Sequence, residues 1–315
     1  MTAAGPGERL TSYEHDGLTF DVTDEGPLDG EVVVLLHGFP ERATCWRDVA
    51  PLLHAEGYRT LAPDQRGYSP RARPRRRRDY RTALLARDVG ALLRLAGAPE
   101  RPVHLVGHDW GAIVAWTLAA AHPELLRSLT TLSVPHPRAY TRSLRGSTQA
   151  LKSWYIVAFQ VPWLPELSAR RPGGLFDRAM RGGGMTRDEV ARFRAEIVDD
   201  GALPGGIAWY RGMPFGQLPR LGRRPRPAAS PGSEARDGMR RVRVPTTLVW
   251  SDGDRFVDRA SAELCHEFVA APFELVVLEG VDHWIPTHAP RAAADAILAR
   301  VAPARPDAPD APDVR

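Results

Sequence analysis

Cysteine is nearly missing from this 315-residue chain. Cys45 and Cys265 stand far apart with no paired spacing, which argues against a disulfide frame or a thiolate metal site and fits a reducing compartment. Lysine is rarer still: Lys152 stands alone, so the basic side of the net charge of +4 is almost all arginine, a bias of composition. The one long apolar stretch, Val103 to Ala121, is broken by His108 and Asp109 and cannot span a membrane. Met1 to Leu10 has no apolar segment of the kind that directs secretion, so a cytoplasmic location is expected. The arginine run from Arg71 to Arg78 lacks interleaved aromatics and belongs to no helix that would enter a groove. It reads as a solvated loop, and no nucleic-acid partner is expected.

What is present is the material of an ordinary globular protein, 43% hydrophobic and 25% charged. The length suits one large α/β core carrying an insertion. The chain is organised around Val103 to Ala112. A short β-branched run leads into Gly107-His108-Asp109-Trp110-Gly111, and Ile113 to Ala121 continues as a helix, which together make the strand, sharp turn and helix of a nucleophile elbow. Glycines 107 and 111 let the two backbones approach closely, while the turn lifts the central side chain above the sheet beside a helix N-terminus. That side chain is Asp109, not serine. A carboxylate with an ordinary pKa of ~3.9 is ionised at neutral pH and needs no base before it attacks. It suits a saturated, electrophilic carbon. The product is an alkyl ester of the enzyme, and a histidine remains free to activate the water that hydrolyses it.

Along the chain, residues 1–9 are expected to fray, and alternating residues from Ser12 to His15 and Leu18 to Thr23 predict an edge hairpin around Asp16-Gly17. Strands follow at Glu31 to Leu36, Tyr58 to Ala62, the short run from Val103 that feeds the Gly107 pentapeptide and Ser128 to Val134, with helices between them near Trp46 to Leu53, Thr82 to Ala96 and Ile113 to Ala121. That order predicts a parallel sheet with helices on both faces. After Pro135 strand-like runs cease, and helices are expected at Leu144 to Val161, Phe176 to Arg181, Thr186 to Val198 and Leu203 to Tyr210, forming a cap over the carboxyl ends of the strands. Gly173-Gly174 and Gly182-Gly183-Gly184 read as connectors, not phosphate cradles, and Pro219 to Arg241 as a linker. Strands Val244 to Trp250 and Phe273 to Leu278 and helices Ala260 to Val269 and Pro290 to Val301 resume the rhythm. The expected division is core 10–137, helical cap 138–241, core 242–302 and a disordered tail 303–315.

His37-Gly38-Phe39-Pro40, the Asp109 elbow, Trp154-Tyr155 with Phe159-Gln160, Trp209-Tyr210-Arg211, Trp250-Ser251-Asp252-Gly253-Asp254 and Asp282-His283-Trp284 together resemble the α/β-hydrolase superfamily, and within it the epoxide hydrolase group. The resemblance runs from Leu10 to Val301 and implies an α/β-hydrolase fold, mostly parallel sheet with an inserted helical cap. It implies Asp109 as nucleophile, His283 as base, Asp254 as the acid that orients it, and the amides of Phe39 and Trp110 as the oxyanion hole. Asp252 competes with Asp254. Tyr155 and Tyr210 would donate to the ring oxygen of an epoxide, since an expelled alkoxide needs an acid, whereas each tyrosine alone also fits a packing role between cap and core.

The implied reaction opens an epoxide to a vicinal diol. The expected partners are a small hydrophobic epoxide and water, the expected state a monomer or homodimer. No metal or organic cofactor is expected, because neither a His/Cys cluster nor a dinucleotide fingerprint is present. His104, His108, His136, His266 and His288 show no metal spacing, and His37 is expected to brace the oxyanion loop. Asp282 either faces solvent or raises the pKa of His283. Two alternatives stand beside this reading. A haloalkane dehalogenase would use the same Asp109, His283 and Asp254 but would want a second side-chain donor for halide. A hydrophobe-binding protein on the same fold would have lost a catalytic group, and none is missing.

Overall fold

The computed structural model describes residues 8–213 and 241–302. Eight strands form one sheet in the order β1-β2-β4-β3-β5-β6-β7-β8. β1 (Ser12–His15) and β2 (Leu18–Glu25) are an antiparallel hairpin at one edge, and β2 also runs antiparallel to β4 (Arg59–Pro63). From there β3 (Val32–Leu36), β5 (Val103–His108), β6 (Leu126–Leu132), β7 (Thr246–Ser251) and β8 (Phe273–Leu278) pair in parallel. The continuous apolar run Val32–Leu36 sits at the centre, and every residue of β5 is buried, as a parallel strand covered on both faces requires. One face packs on α2 (Thr82–Leu95) and α3 (Trp110–Ala121), the other on α1 (Ala50–Ala55) and the helix Pro290–Val301.

Between β6 and β7 the described chain is helical: α4 (Pro137–Ser143), α5 (Gln149–Lys152), α6 (Trp154–Ala158), α7 (Leu164–Arg170), α8 (Leu175–Gly182), α9 (Arg187–Phe193) and α10 (Leu203–Gly212). The single helix expected over Leu144 to Val161 is broken instead into two short pieces after a turn. There Ser147 Oγ donates to the Ser143 carbonyl, and Ser153 Oγ to that of Gln149, hydroxyls competing with the helical ladder. α7 was not foreseen; Pro165 in its first turn costs it no hydrogen bond. α9 opens on a Thr186/Glu189 capping box and widens into a π-helix over Arg194–Asp199. Nearly all of the linker expected over Pro219 to Arg241, and the tail 303–315, lie outside the described residues. Among the described residues no helix is long and apolar enough to cross a membrane.

The insertion is tied to the core by specific contacts. Trp209 Nε1 donates to the Arg66 carbonyl at 2.7 Å, and a side chain on Gly67 or Gly205 would overlap the other's backbone. The arginine run is not merely a solvated loop. Arg73 pairs with Asp200 of the insertion and also donates to the Tyr68 carbonyl, while Arg77 donates to Gln160 Oε1 at 2.7 Å. Arg71, Arg75, Arg76 and Arg78 remain exposed.

Candidate active site

β5 ends at His108, and Asp109 turns the chain into α3 with φ 51° and ψ −119°, the left-handed side that a side chain rarely occupies. The turn is tight because nothing lies between its walls: a Cβ on Gly111 would overlap the Leu36 carbonyl, and one on Gly107 the Gly111 carbonyl. Gly38 obeys the same constraint, since a side chain there would strike the Asp109 carboxylate.

Asp109 is buried, and its two oxygens face different partners. Oδ1 accepts the Phe39 amide at 2.7 Å, whereas Oδ2 lies 3.4 Å from His283 Nε2. Trp110 opens α3, so its amide belongs to the first turn of the helix, where N–H groups lack an intrahelical acceptor. On the far side of the ring, His283 Nδ1 meets Asp254 Oδ2 at 2.8 Å. Asp254 Oδ1 accepts the amides of Phe256 (2.7 Å) and Val257 (2.9 Å), which lock that carboxylate in place. The competing Asp252 is exposed and accepts the Gly280 amide instead.

The electrostatics follow from this geometry. Burial opposes charge on His283, but Asp254 and Asp109 outweigh it and push its pKa up to about 10. Burial likewise opposes the Asp109 carboxylate, yet His283, His108 and the Phe39 amide hold its pKa below the ordinary value. Asp109 and His283 therefore rest as an ion pair. Tyr155 and Tyr210 lie with ring centroids 5.9 Å apart. Burial first, and the nearby Asp109 charge among further causes, raise both phenols well above their ordinary pKa, so they stay protonated.

All four side chains line one cavity of about 160 Å³ with Phe39, Phe159, Phe176, Phe256 and Trp284 among its walls. Edge-to-face ring contacts knit it together, Phe39 to Tyr210 at 5.2 Å, Trp110 to Tyr210 at 5.0 Å and Phe256 to His283 at 4.9 Å. An ionised carboxylate, a histidine oriented from behind by Asp254 and two neutral acids thus face an apolar space that suits a small hydrophobic molecule.

His37 is buried; its Nε2 accepts the Gln65 amide at 3.0 Å and its Nδ1 donates to the Gly38 carbonyl, which braces the Phe39 loop. Asp282 is only part-exposed: it accepts from His288 Nδ1 at 2.7 Å and from the Trp284 amide, and against burial those bonds and the His283 charge are among the causes that hold its pKa below the ordinary value. His288 Nε2 meets Glu189 of α9 at 2.8 Å, so this histidine has two carboxylate partners that its sequence spacing did not reveal. Two further residues escaped the sequence reading. Ser133 Oγ (2.8 Å) and His108 Nε2 (2.9 Å) both donate to the His283 carbonyl and fix the loop that carries the ring. The position of His108 inside the elbow pentapeptide was the only available signal for either.

Comparison with known proteins agrees with this architecture. The α/β hydrolase fold family matches residues 31–287, and the chain belongs to that family. It is similar to the AB hydrolase superfamily protein YfhM of Bacillus subtilis, 33% identical over 93% of this chain and 97% of the relative. It is also similar to epoxide hydrolase 4 of Homo sapiens, 31% identical over 87% of this chain and 73% of the relative. Among solved structures, epoxide hydrolase A from Mycobacterium thermoresistibile superposes with a TM-score of 0.73 at 27% identity, covering 92% of this chain and 97% of that one.

Proposed function

We propose that this protein is an epoxide hydrolase that forms a covalent ester on Asp109. The observation that carries the reading is the pairing of two protonated phenols, Tyr155 and Tyr210, with an ionised Asp109 in one apolar cavity. Relatives named epoxide hydrolases support it. The described part of the insertion, within the expected 138–241, is the lid that brings both phenols over the core.

In the first step Asp109 Oδ2, the oxygen not held by Phe39, attacks an epoxide carbon. The carbon–oxygen bond of the ring breaks, and the ring oxygen takes a proton from a tyrosine. Once the ester has formed, the phenolate recovers its proton from the imidazolium of His283, so the ion pair is consumed and the products are a neutral ester and a neutral imidazole. Esterification removes one of the two carboxylates that hold the His283 proton, so the ring becomes a base at the stage that needs one. Water then adds to the ester carbonyl as Nε2 takes its proton, and the oxyanion on Oδ1 is held by the amides of Phe39 and Trp110. Collapse breaks the bond to the alkyl oxygen, which takes the proton from His283 and leaves as the diol. The acid proton left on Asp109 passes to His283 and restores the ion pair. Every donor is a protein group, so the chemistry asks for no metal or organic cofactor.

The test is His283→Gln treated with a small aryl epoxide and followed by intact-mass and peptide spectrometry. An adduct on Asp109 that persists is expected. A folded variant with no adduct would overturn the two-step mechanism, and faster halide release from haloalkanes than diol formation in the parent would favour dehalogenation.

A further inference from the structure

Eight of the ten large apolar side chains that stand exposed among the described residues fall within residues 151–175, so the insertion carries a concentrated apolar face, not scattered surface residues. Trp154 and Val157 are three apart on α6, and Leu151 of α5, Trp163, Leu167 and Leu175 extend the set. Trp154 and Leu175 also line the cavity over Asp109, which makes this face the rim of the pocket. Trp163 is 75% exposed although its backbone sits at φ 61°, a conformation that bulky residues avoid, so local strain accompanies the outward display of an indole. The exposed charge of the same stretch of chain has one sign. Between residues 145 and 182 the exposed charged side chains are Arg145, Arg170, Arg171, Arg178 and Arg181. The acids of that stretch are occupied, Glu166 by Arg211 and Asp177 by Arg194.

We propose that this face docks on an anionic lipid bilayer, with the pocket mouth turned toward the acyl region. Exposed indoles and aliphatic side chains suit the headgroup boundary, and a rim of arginine suits negative headgroups. A second copy fits less well, since two-fold pairing of this face would set arginine against arginine. Residues 214–240 are no better matched: their sequence holds six arginines, with Glu234 and Asp237 as the only acids. Docking would let a lipophilic substrate enter from the membrane without crossing water. The inference goes beyond the proposed reaction, and its test reads binding without turnover.

The experiment is co-sedimentation of the full chain with vesicles of phosphatidylcholine and phosphatidylglycerol in equal parts, against phosphatidylcholine alone, with tryptophan quenching by brominated lipid. Binding to the anionic vesicles is expected, equal in Asp109→Ala, and largely lost when salt rises from ~0.1 M to ~1 M. The pair Trp163→Ser/Leu167→Ser, and separately Arg170→Gln/Arg171→Gln, should each weaken it about tenfold while circular dichroism remains that of the parent. Failure of the parent to bind anionic vesicles, or equal binding by both pairs, overturns the proposal. So does a dimer in sedimentation velocity that Trp163→Ser/Leu167→Ser dissolves while no vesicle is bound.

Discussion

Asp254→Asn probes the second half of the proposed reaction with little change in shape. In the native site Asp254 uses Oδ2 for His283 and Oδ1 for two backbone amides. Asparagine keeps one carbonyl oxygen, which the amides claim, and so turns its NH2 toward Nδ1. A donor there drives the imidazole proton onto Nε2, the nitrogen that faces Asp109, and the ring can no longer take a proton from water. The change also deletes the foremost charge that offsets burial of the imidazolium, so the His283 pKa falls from about 10. Loss of tautomer control should slow ester hydrolysis by roughly a hundredfold to ten-thousandfold, or ~3–5.5 kcal/mol. Alkylation, which draws on the Asp109 charge, should suffer far less. Rapid-quench mass spectrometry under single-turnover conditions reads both steps, and the expected result is an ester that builds up and decays slowly. Asp252→Asn, on an exposed carboxylate, should stay within about twofold of the parent. Prompt hydrolysis in Asp254→Asn, or accumulation in Asp252→Asn instead, would refute the assignment of the orienting acid.

Tyr155→Phe and Tyr210→Phe should each slow alkylation by roughly tenfold to a hundred-and-fifty-fold, the worth of a charge-assisted hydrogen bond of ~1.5–3 kcal/mol, with the double change far worse. Stopped-flow single turnovers check this, and a double variant near the parent rate would make both residues mere packing. A third expectation concerns pH and the His288 bridge between the short helix Ile285–His288 and α9 of the insertion. Its bond to Asp282, with the Glu189 charge and against partial burial, raises the His288 pKa to about 9. A raised folded pKa gives stability that is fully present below the unfolded value of ~6.5 and is lost as pH climbs through about 9. The melting temperature of the parent should therefore exceed that of His288→Gln at pH ~6 and converge on it above about 9; a gap that does not shrink would show that charge on His288 contributes nothing.

Much of the fold is a local property and was legible as such. The apolar run at Val32–Leu36, the β-branched lead into Gly107 and the change from strand-like to helical runs after Pro135 each depend on residues close in sequence. Their strands lie within a few positions of expectation. The elbow could be read from five residues because backbone sterics at Gly107, Asp109 and Gly111 act within one turn. Breaks within the insertion were harder, because serine hydroxyls compete with a helix only by the strength of a few hydrogen bonds. Partnerships that cross the chain were not legible from the residues alone, and the resemblance supplied only those among Asp109, His283, Asp254 and Phe39. Asp254 and Asp252 are two residues apart on one loop, and only the packed loop decides which faces His283. Ser133 reaches the His283 carbonyl across 150 residues, and His288 finds Glu189 across 99. Arg73 and Arg77 leave a charge run that looked wholly solvated to bind Asp200 and Gln160 of the insertion. A side chain's type states what it is able to donate or accept, whereas the atom that receives it is set by how distant segments pack.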